Sequence, residues 1–228
     1  MIPNILDYET PPPGIDDYNA DFRREIGLRD DDILILQPTR IVARKGIEHA
    51  IELVRQLKEP RAKLVISHPA GDEGDAYVKM LMERIGDSGV DVRFIAERVA
   101  EKRGLDAQGR KLYTLFDVYP HADLVTYPSL YEGFGNAFLE AIYFRKPVVV
   151  NAYAVYARDI QPLGFRTILM SQVVTSEVIR QTREILNSEA LRREWANVNY
   201  ELGLKYFSHA VARRKLHARL ANLFGEGT

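Results

Sequence analysis

The stretch DLVTYPSLYEGFGNAFLEAIYFRKPVVV, residues 123–150, carries the clearest information about the fold of this 228-residue chain. It opens with a short apolar run at residues 123–127 and closes with another at residues 147–150. Between them, a glycine-containing turn leads into a helix predicted over residues 136–144. Parallel strands need a crossover, and the crossover is usually a helix. The stretch therefore predicts two parallel strands joined by one helix.

The same alternation of strands and helices continues on both sides of this unit. The predicted strands are residues 33–36, 63–67, 91–96 and 166–170, and the predicted helices are residues 20–27, 46–57, 77–86 and 110–118. Residues 99–109 are charged and are predicted as a surface loop. The strand runs are apolar throughout, as expected when helices cover both faces of a sheet. We therefore expect an α/β fold with a doubly wound, mostly parallel sheet.

Three parts are expected along the chain. Residues 1–30 form a linker and a first helix, with PPPG at residues 11–14 as a stiff connector. Residues 31–174 form the sheet domain. Residues 175–228 form a helical extension of the same domain, with helices predicted at residues 178–186, 191–204 and 210–223. The aromatic side chains of this extension form either an exposed apolar patch or part of its core; they are Trp195, Tyr200, Tyr206 and Phe207.

Composition limits the classes of function. Hydrophobic residues make up 46% of the chain, and 31 basic residues nearly cancel 32 acidic ones, for a net charge of -1. This balance does not indicate a nucleic-acid binder. The chain has no cysteine, which excludes a disulfide framework and a thiolate metal site. Residues 1–10 do not resemble a signal peptide, and no apolar run is long enough to span a bilayer. We expect a soluble, cytoplasmic protein.

Ligands of open α/β sheets bind beyond the carboxyl ends of the strands, where loops enter helices. The loop TRIVARKG, residues 39–46, brings three cations, including Arg40 and Lys45, beside a predicted helix start. Free N–H groups and the helix dipole already favour an anion there. The loop is therefore either a site for two phosphates or a solvated basic loop.

A second loop of this kind lies within residues 127–140. Gly133 and Gly135 allow a ligand to approach the backbone closely and expose amides at the start of the following helix. Glu132 and Glu140 could each accept two hydrogen bonds from neighbouring hydroxyls of a ribose or hexose. The alternative is that Glu132 is a turn residue and that Glu140 is a helix residue paired with a cation.

Taken together, five sequence elements resemble the second domain of a large family of retaining GT-B glycosyltransferases. That family includes glycogen, sucrose and sucrose-phosphate synthases and many mannosyltransferases. The five elements are Glu132-x7-Glu140, Arg40-x4-Lys45-Gly46, Ile2-Pro3-Asn4, Ala122-Asp123 before Tyr127-Pro128-Ser129, and Lys146-Pro147 before a valine run. They occur in the family's order along essentially the whole chain. The resemblance implies a Rossmann-like domain that forms one half of a GT-B fold.

The resemblance also implies roles for individual residues. Arg40 and Lys45 would hold the diphosphate of a UDP-, GDP- or ADP-sugar, and Glu140 would accept the ribose hydroxyls. Glu132 would hold hydroxyls of the donor hexose, which makes Arg40, Lys45 and Glu132 the expected catalytic residues. The donor-binding set is completed by the turn residues Gly133, Phe134, Gly135 and Asn136. The base would lie near residues 96–98, and neither a metal nor a cofactor is expected.

On this basis the chain is expected to be the donor-binding half of a metal-independent, retaining hexosyltransferase. It would be inactive without a preceding acceptor-binding domain, and that domain leaves open a peripheral contact with a membrane. The alternative is a non-catalytic nucleotide-sugar-binding or regulatory module. The expected partners of the chain are therefore a nucleotide sugar and the acceptor-binding domain.

Two loops depart from the family pattern. NAYAVYARDI at residues 151–160 replaces a glycine-rich loop, and SHPAG at residues 67–71 replaces Gly-x-Gly. The bulkier first loop could narrow or reshape the site, whereas His68 could either face the phosphates or be structural. The DDD run at residues 30–32 is predicted as a solvated loop and not as a metal motif.

Overall fold

A computed structural model describes residues 4–71 and 75–224. The strands are β1 (Ile33–Gln37), β2 (Ala62–Ile66), β3 (Val92–Phe94), β4 (Gly104–Leu105), β5 (Lys111–Leu112), β6 (Leu124–Tyr127), β7 (Val148–Asn151) and β8 (Ile168–Met170). The helices are α1 (Phe22–Glu25), α2 (Ile47–Leu57), α3 (Asp75–Ser88), α4 (Leu115–Val118), α5 (Asn136–Tyr143), α6 (Ser176–Asn187), α7 (Glu189–Phe207) and α8 (His209–Phe224). Of the predicted Ile2-Pro3-Asn4 element, only Asn4 lies within the described residues.

The predicted doubly wound sheet is confirmed. Six strands pair in parallel in the order β3-β2-β1-β6-β7-β8. Leu34, Ile35 and Leu36 in the centre of the sheet are fully buried, because α2 covers one face and α5 the other. The strand order reverses at the pair β1 and β6, so the loops after these two strands diverge and leave a crevice between them.

The predicted surface loop and helix over residues 99–118 are wrong in detail. Strands β4 and β5 form an antiparallel hairpin there, and α4 begins only at Leu115. The Tyr18 hydroxyl supports the hairpin, since it accepts from the Gly104 amide at 3.0 Å and donates to the Leu112 carbonyl at 2.8 Å. Thr114 and Asp117 form a capping box that sets the start of α4. Because Tyr18 is so far from the hairpin in the chain, no local sequence pattern indicates this support.

The C-terminal helices belong to the core. Tyr200 and Phe207 are buried, and Trp195 and Tyr206 are half-buried against the two hydrophobic clusters. Of the two alternatives for these aromatic side chains, the structure therefore shows the second. Among residues 4–71 and 75–224, no helix has the length and apolar character needed to cross a membrane.

Tyr8 ties the N-terminal segment to this helical region. Its hydroxyl donates to the Leu139 carbonyl at 2.8 Å, and its own carbonyl accepts from the Tyr200 hydroxyl at 2.9 Å. Its ring lies directly against the backbone of α7 at Gly203, where a side chain would collide with it. The N-terminal segment, α5 and α7 are thereby joined around one buried ring.

Replacing Gly203 with alanine should destabilise the chain, although alanine is normally the better helix former. A Cβ at this position would lie 2.4 Å from a ring carbon of Tyr8, so the helix or the buried ring must shift. We expect the free energy of unfolding to fall by about 1–3 kcal/mol, the usual cost of overpacking a core. The midpoint of urea denaturation at unchanged slope measures this change.

Gly86 in α3 provides the matched control, because a Cβ there meets nothing within 4 Å. Gly86→Ala should leave the free energy of unfolding unchanged or raise it by up to about 1 kcal/mol. Effects of the same sign and size in the two variants would contradict the close contact between Tyr8 and α7.

Candidate functional site

A cavity of about 470 Å³ opens beyond the carboxyl ends of β1 and β6. Most of the site residues predicted from the sequence line it together: Arg40, Lys45, Glu132, Phe134, Gly135, Asn136 and Glu140. Gly133 is exposed and does not line the cavity. Seven further lining residues were given no individual role from the sequence: Asn4, Pro38, Thr39, Arg44, Leu115, Tyr127 and Ala137. His68, left open from the sequence, also lies on the wall.

The loop after β1 is held against the loop after β6 by close backbone contacts. Gly46 has φ = +61°, and a Cβ there would lie 2.5 Å from the Pro128 carbonyl oxygen. Only glycine allows this approach in a left-handed conformation without strain. The Leu130 amide also donates to the Arg44 carbonyl at 2.8 Å. The cationic loop and the acidic loop are therefore built as one unit.

A second glycine shapes the turn before α5. Gly135 has φ = +123°, and a Cβ there would lie 2.5 Å from the Tyr153 hydroxyl oxygen and 3.2 Å from Tyr127. Tyr153 donates to the Phe134 carbonyl at 2.5 Å and so supports the turn from behind. As a result, the first residues of α5 face the cavity with the positive end of the helix dipole.

An ion-pair cluster lies at the cationic end of the cavity. Lys45 Nζ contacts Glu132 Oε1, and Arg44 Nη1 lies 3.4 Å from Glu132 Oε2. The side chains of Lys45 and Glu132 are about nine-tenths buried. Arg40 is exposed, and within the described part of the chain its side chain makes no hydrogen bond or ion pair. Arg40 thus offers an available charge to an anion, while Lys45 would have to exchange partners.

Glu140 lies half-buried on the same wall, in the second turn of α5. Its Oε2 accepts a hydrogen bond from the Tyr119 hydroxyl at 2.9 Å. Burial raises the pKa of Glu140, and the bond from Tyr119 opposes that rise. The carboxylate keeps acceptor capacity for hydroxyl groups of a ligand in the cavity.

The segment expected to meet the base is placed differently. Residues 96–98 form a 3-10 turn that does not line the cavity, and Arg98 bonds to Glu25 and to the Lys111 carbonyl. Leu115, at the start of α4, lines the cavity instead. No local sequence pattern indicates that the start of α4, shortly after the β4-β5 hairpin, lines the cavity.

Within the DDD run, Asp30 and Asp31 are exposed as expected for a solvated loop, but Asp32 is not. Asp32 is buried, and its carboxylate accepts from the Arg29 amide at 2.8 Å and from the Arg29 guanidinium at 3.0 Å. Asp32 closes the turn before β1. Throughout the described ranges, no three His, Asp or Glu side chains come together as a metal site.

Comparisons with known proteins agree with this geometry. The sequence model of the family "glycosyl transferases group 1" matches residues 19–202. Mannosylglucosylglycerate synthase of Petrotoga mobilis is 32% identical over 212 residues, which cover 81% of this chain and 49% of the relative. The chain spans about half the length of this relative and of the mannosylglucosylglycerate synthase of Thermotoga maritima, which it also matches.

Solved structures share the fold. HepE of Anabaena, in complex with UDP and glucose, matches with a TM-score of 0.75 at 18% identity, over 96% of this chain and 55% of that chain. The C-terminal domain of the group 1 glycosyltransferase LpcC from Francisella tularensis matches with a TM-score of 0.66 at 19% identity, over 90% of this chain and 99% of that one. The family match, the relative and the crevice together identify this chain as a member of the group 1 glycosyltransferases, with a Rossmann-like fold of the GT-B type.

Proposed function

We propose that the chain is the donor-binding half of a retaining glycosyltransferase that moves a hexose from a nucleoside-diphosphate sugar to an acceptor. One observation carries this proposal. Arg40 and Lys45 from the loop after β1 meet Glu132 and Glu140 from the loop after β6 and α5 in a single cavity. The cavity lies where the strand order reverses, the usual place of a ligand in such sheets.

The cations have the task of stabilising the leaving group. Departure of a nucleoside diphosphate concentrates negative charge on the phosphates, and preorganised donors lower the energy of that state. Arg40 is free to meet the diphosphate, and the start of α5 adds its backbone amides. These groups can do the work for which other transferases use a metal ion, so we propose a metal-independent reaction.

The carboxylates recognise hydroxyl groups. Glu140 would accept the ribose hydroxyls, and Glu132 would accept hydroxyls of the hexose once Lys45 turns to the diphosphate. Arg44, 3.4 Å from the second oxygen of Glu132, would keep that carboxylate in place during the exchange.

UDP is the first nucleotide to test, because the HepE complex contains UDP and glucose; GDP and ADP are the other candidates. We propose that an acceptor-binding domain completes the active site, since the relatives are about twice as long as the aligned region. Calorimetric titration of the chain with UDP, GDP and ADP, without metal and with a chelator, tests the proposal. Binding of one diphosphate, unchanged by the chelator, is expected.

Arg40→Ala and Lys45→Ala should each weaken binding of the diphosphate by about tenfold or more, because a charge-assisted hydrogen bond contributes about 1.5–3 kcal/mol. Calorimetry measures the affinities. Arg180→Ala is the matched control, since Arg180 is exposed on α6 and lies outside the cavity wall. Unchanged affinity in both site variants would refute the assignment of the diphosphate site.

Glu140→Ala should weaken binding of the whole nucleotide but not of inorganic pyrophosphate, because this carboxylate is proposed to bind ribose. Glu140→Gln, which keeps the shape and one carbonyl acceptor, should have a smaller effect. Calorimetry with both ligands measures the difference. An equal loss of affinity for nucleotide and pyrophosphate would argue against a ribose role.

Addition of an acceptor-binding domain in trans should restore sugar transfer with retention of anomeric configuration. Proton NMR of the product shows both the transfer and the configuration. Transfer with inversion would overturn the retaining assignment. Donor binding without any transfer would favour the alternative, a non-catalytic nucleotide-sugar-binding module.

A further inference from the structure

His68 occupies an unexplained position in the cavity. It is the second residue after β2, at the carboxyl edge of the sheet, and it lines the cavity with Arg40 and Lys45. The side chain is half-buried, and its charge environment is cationic. Neither the fold nor the proposed roles of the other residues account for an imidazole at this point.

The orientation of the ring is set by its neighbour. Ser67 is almost completely buried, and its Oγ lies 2.9 Å from His68 Nδ1. When the Ser67 hydroxyl donates to Nδ1, the neutral ring carries its proton on Nε2. The described residues offer Nε2 no hydrogen-bond partner, which leaves this nitrogen for a ligand.

The cavity wall disfavours a charged imidazole ring. Burial lowers the pKa of His68, and the positive charges of Lys45 and Arg40 lower it further. Among the described residues, the other titratable groups on the cavity wall are Arg44 from the loop of Arg40 and Lys45, Tyr127 and Glu132 from β6 and the loop after it, and Glu140 from α5. Two phosphate charges in the cavity would reverse this balance, because they neutralise the cations and attract a proton to the ring.

We propose that His68 is a further ligand of the diphosphate and that donor binding is accompanied by uptake of a proton on its imidazole ring. The inference rests on the proposed function, since it requires a diphosphate beside Arg40 and Lys45. Ser67 acts as a positioning residue that directs Nε2 into the cavity. Donor affinity then depends on pH through His68, which belongs to the segment that replaces the family's Gly-x-Gly loop.

The sign of the pH dependence follows from linkage. The complex binds more protons than the free protein, so affinity is highest at low pH and falls as pH rises. The fall reaches at most about tenfold per pH unit, between the pKa of His68 in the free protein and that in the complex. Protonation of Glu140 at low pH would act in the opposite sense, because it removes an acceptor for ribose.

The test is calorimetric titration with UDP-glucose, GDP-mannose and ADP-glucose from about pH 5.5 to 8, where a diphosphate diester itself does not titrate. Titrations in two buffers of different ionisation enthalpy measure the number of protons taken up. The wild-type chain should lose affinity for the bound sugar nucleotide as pH rises and take up as much as one proton. His68→Gln should bind about tenfold more weakly at pH 5.5, with no fall toward pH 8 and no proton uptake.

His209→Gln is the matched control, because His209 is exposed on α8 and should retain the wild-type profile. His68→Asn gives a second non-titrating side chain, and thermal unfolding checks that each variant folds. If both His68 variants still lose affinity as pH rises and still take up a proton, this inference alone is overturned. Failure of all three sugar nucleotides to bind at any pH overturns the proposed function and this inference with it.

Discussion

Strands β1 and β6 pair in the middle of the sheet, with Ile35 beside Leu124 and Leu36 beside Val125. The chain adds β2 and β3 on one side of β1 before it places β6 on the other side. The loop after β1 therefore enters α2 on one face, and the loop after β6 enters α5 on the opposite face. The crevice between these loops is a consequence of strand order, and every contact of the candidate site depends on it.

The ion pair between Lys45 and Glu132 has two consequences for the candidate site. Burial of opposite charges contributes little net stability, but loss of one partner leaves the other charge uncompensated. The pair therefore keeps both side chains in place while contributing little net free energy of its own. A diphosphate can replace the carboxylate as partner of Lys45, while Arg44 still lies near Glu132. Binding of a diphosphate thus requires Lys45 to exchange the Glu132 carboxylate for a phosphate group.

The segment at residues 151–160 packs against the loop that follows β6. Asn151 Nδ2 donates to the Ser129 carbonyl at 3.0 Å, and Tyr153 lies beneath Gly135. The segment continues into a π-helical turn at Tyr156–Ile160 and contributes no residue to the cavity wall. Asn151 and Tyr153 therefore support the loop after β6 from behind the turn.

Local sequence patterns are enough to predict the strands and helices of the parallel sheet, because apolar runs and helical spacing are local properties that burial on a two-sided sheet requires. They also indicate Arg40, Lys45 and Glu140, since each follows a strand that must end at the same edge of a parallel sheet. The pairing and burial of these side chains, and the presence of Leu115 and His68 on the same cavity wall, become evident only in the folded chain. Those properties arise from segments far apart in the chain, and their charges interact only after the loops have been brought together.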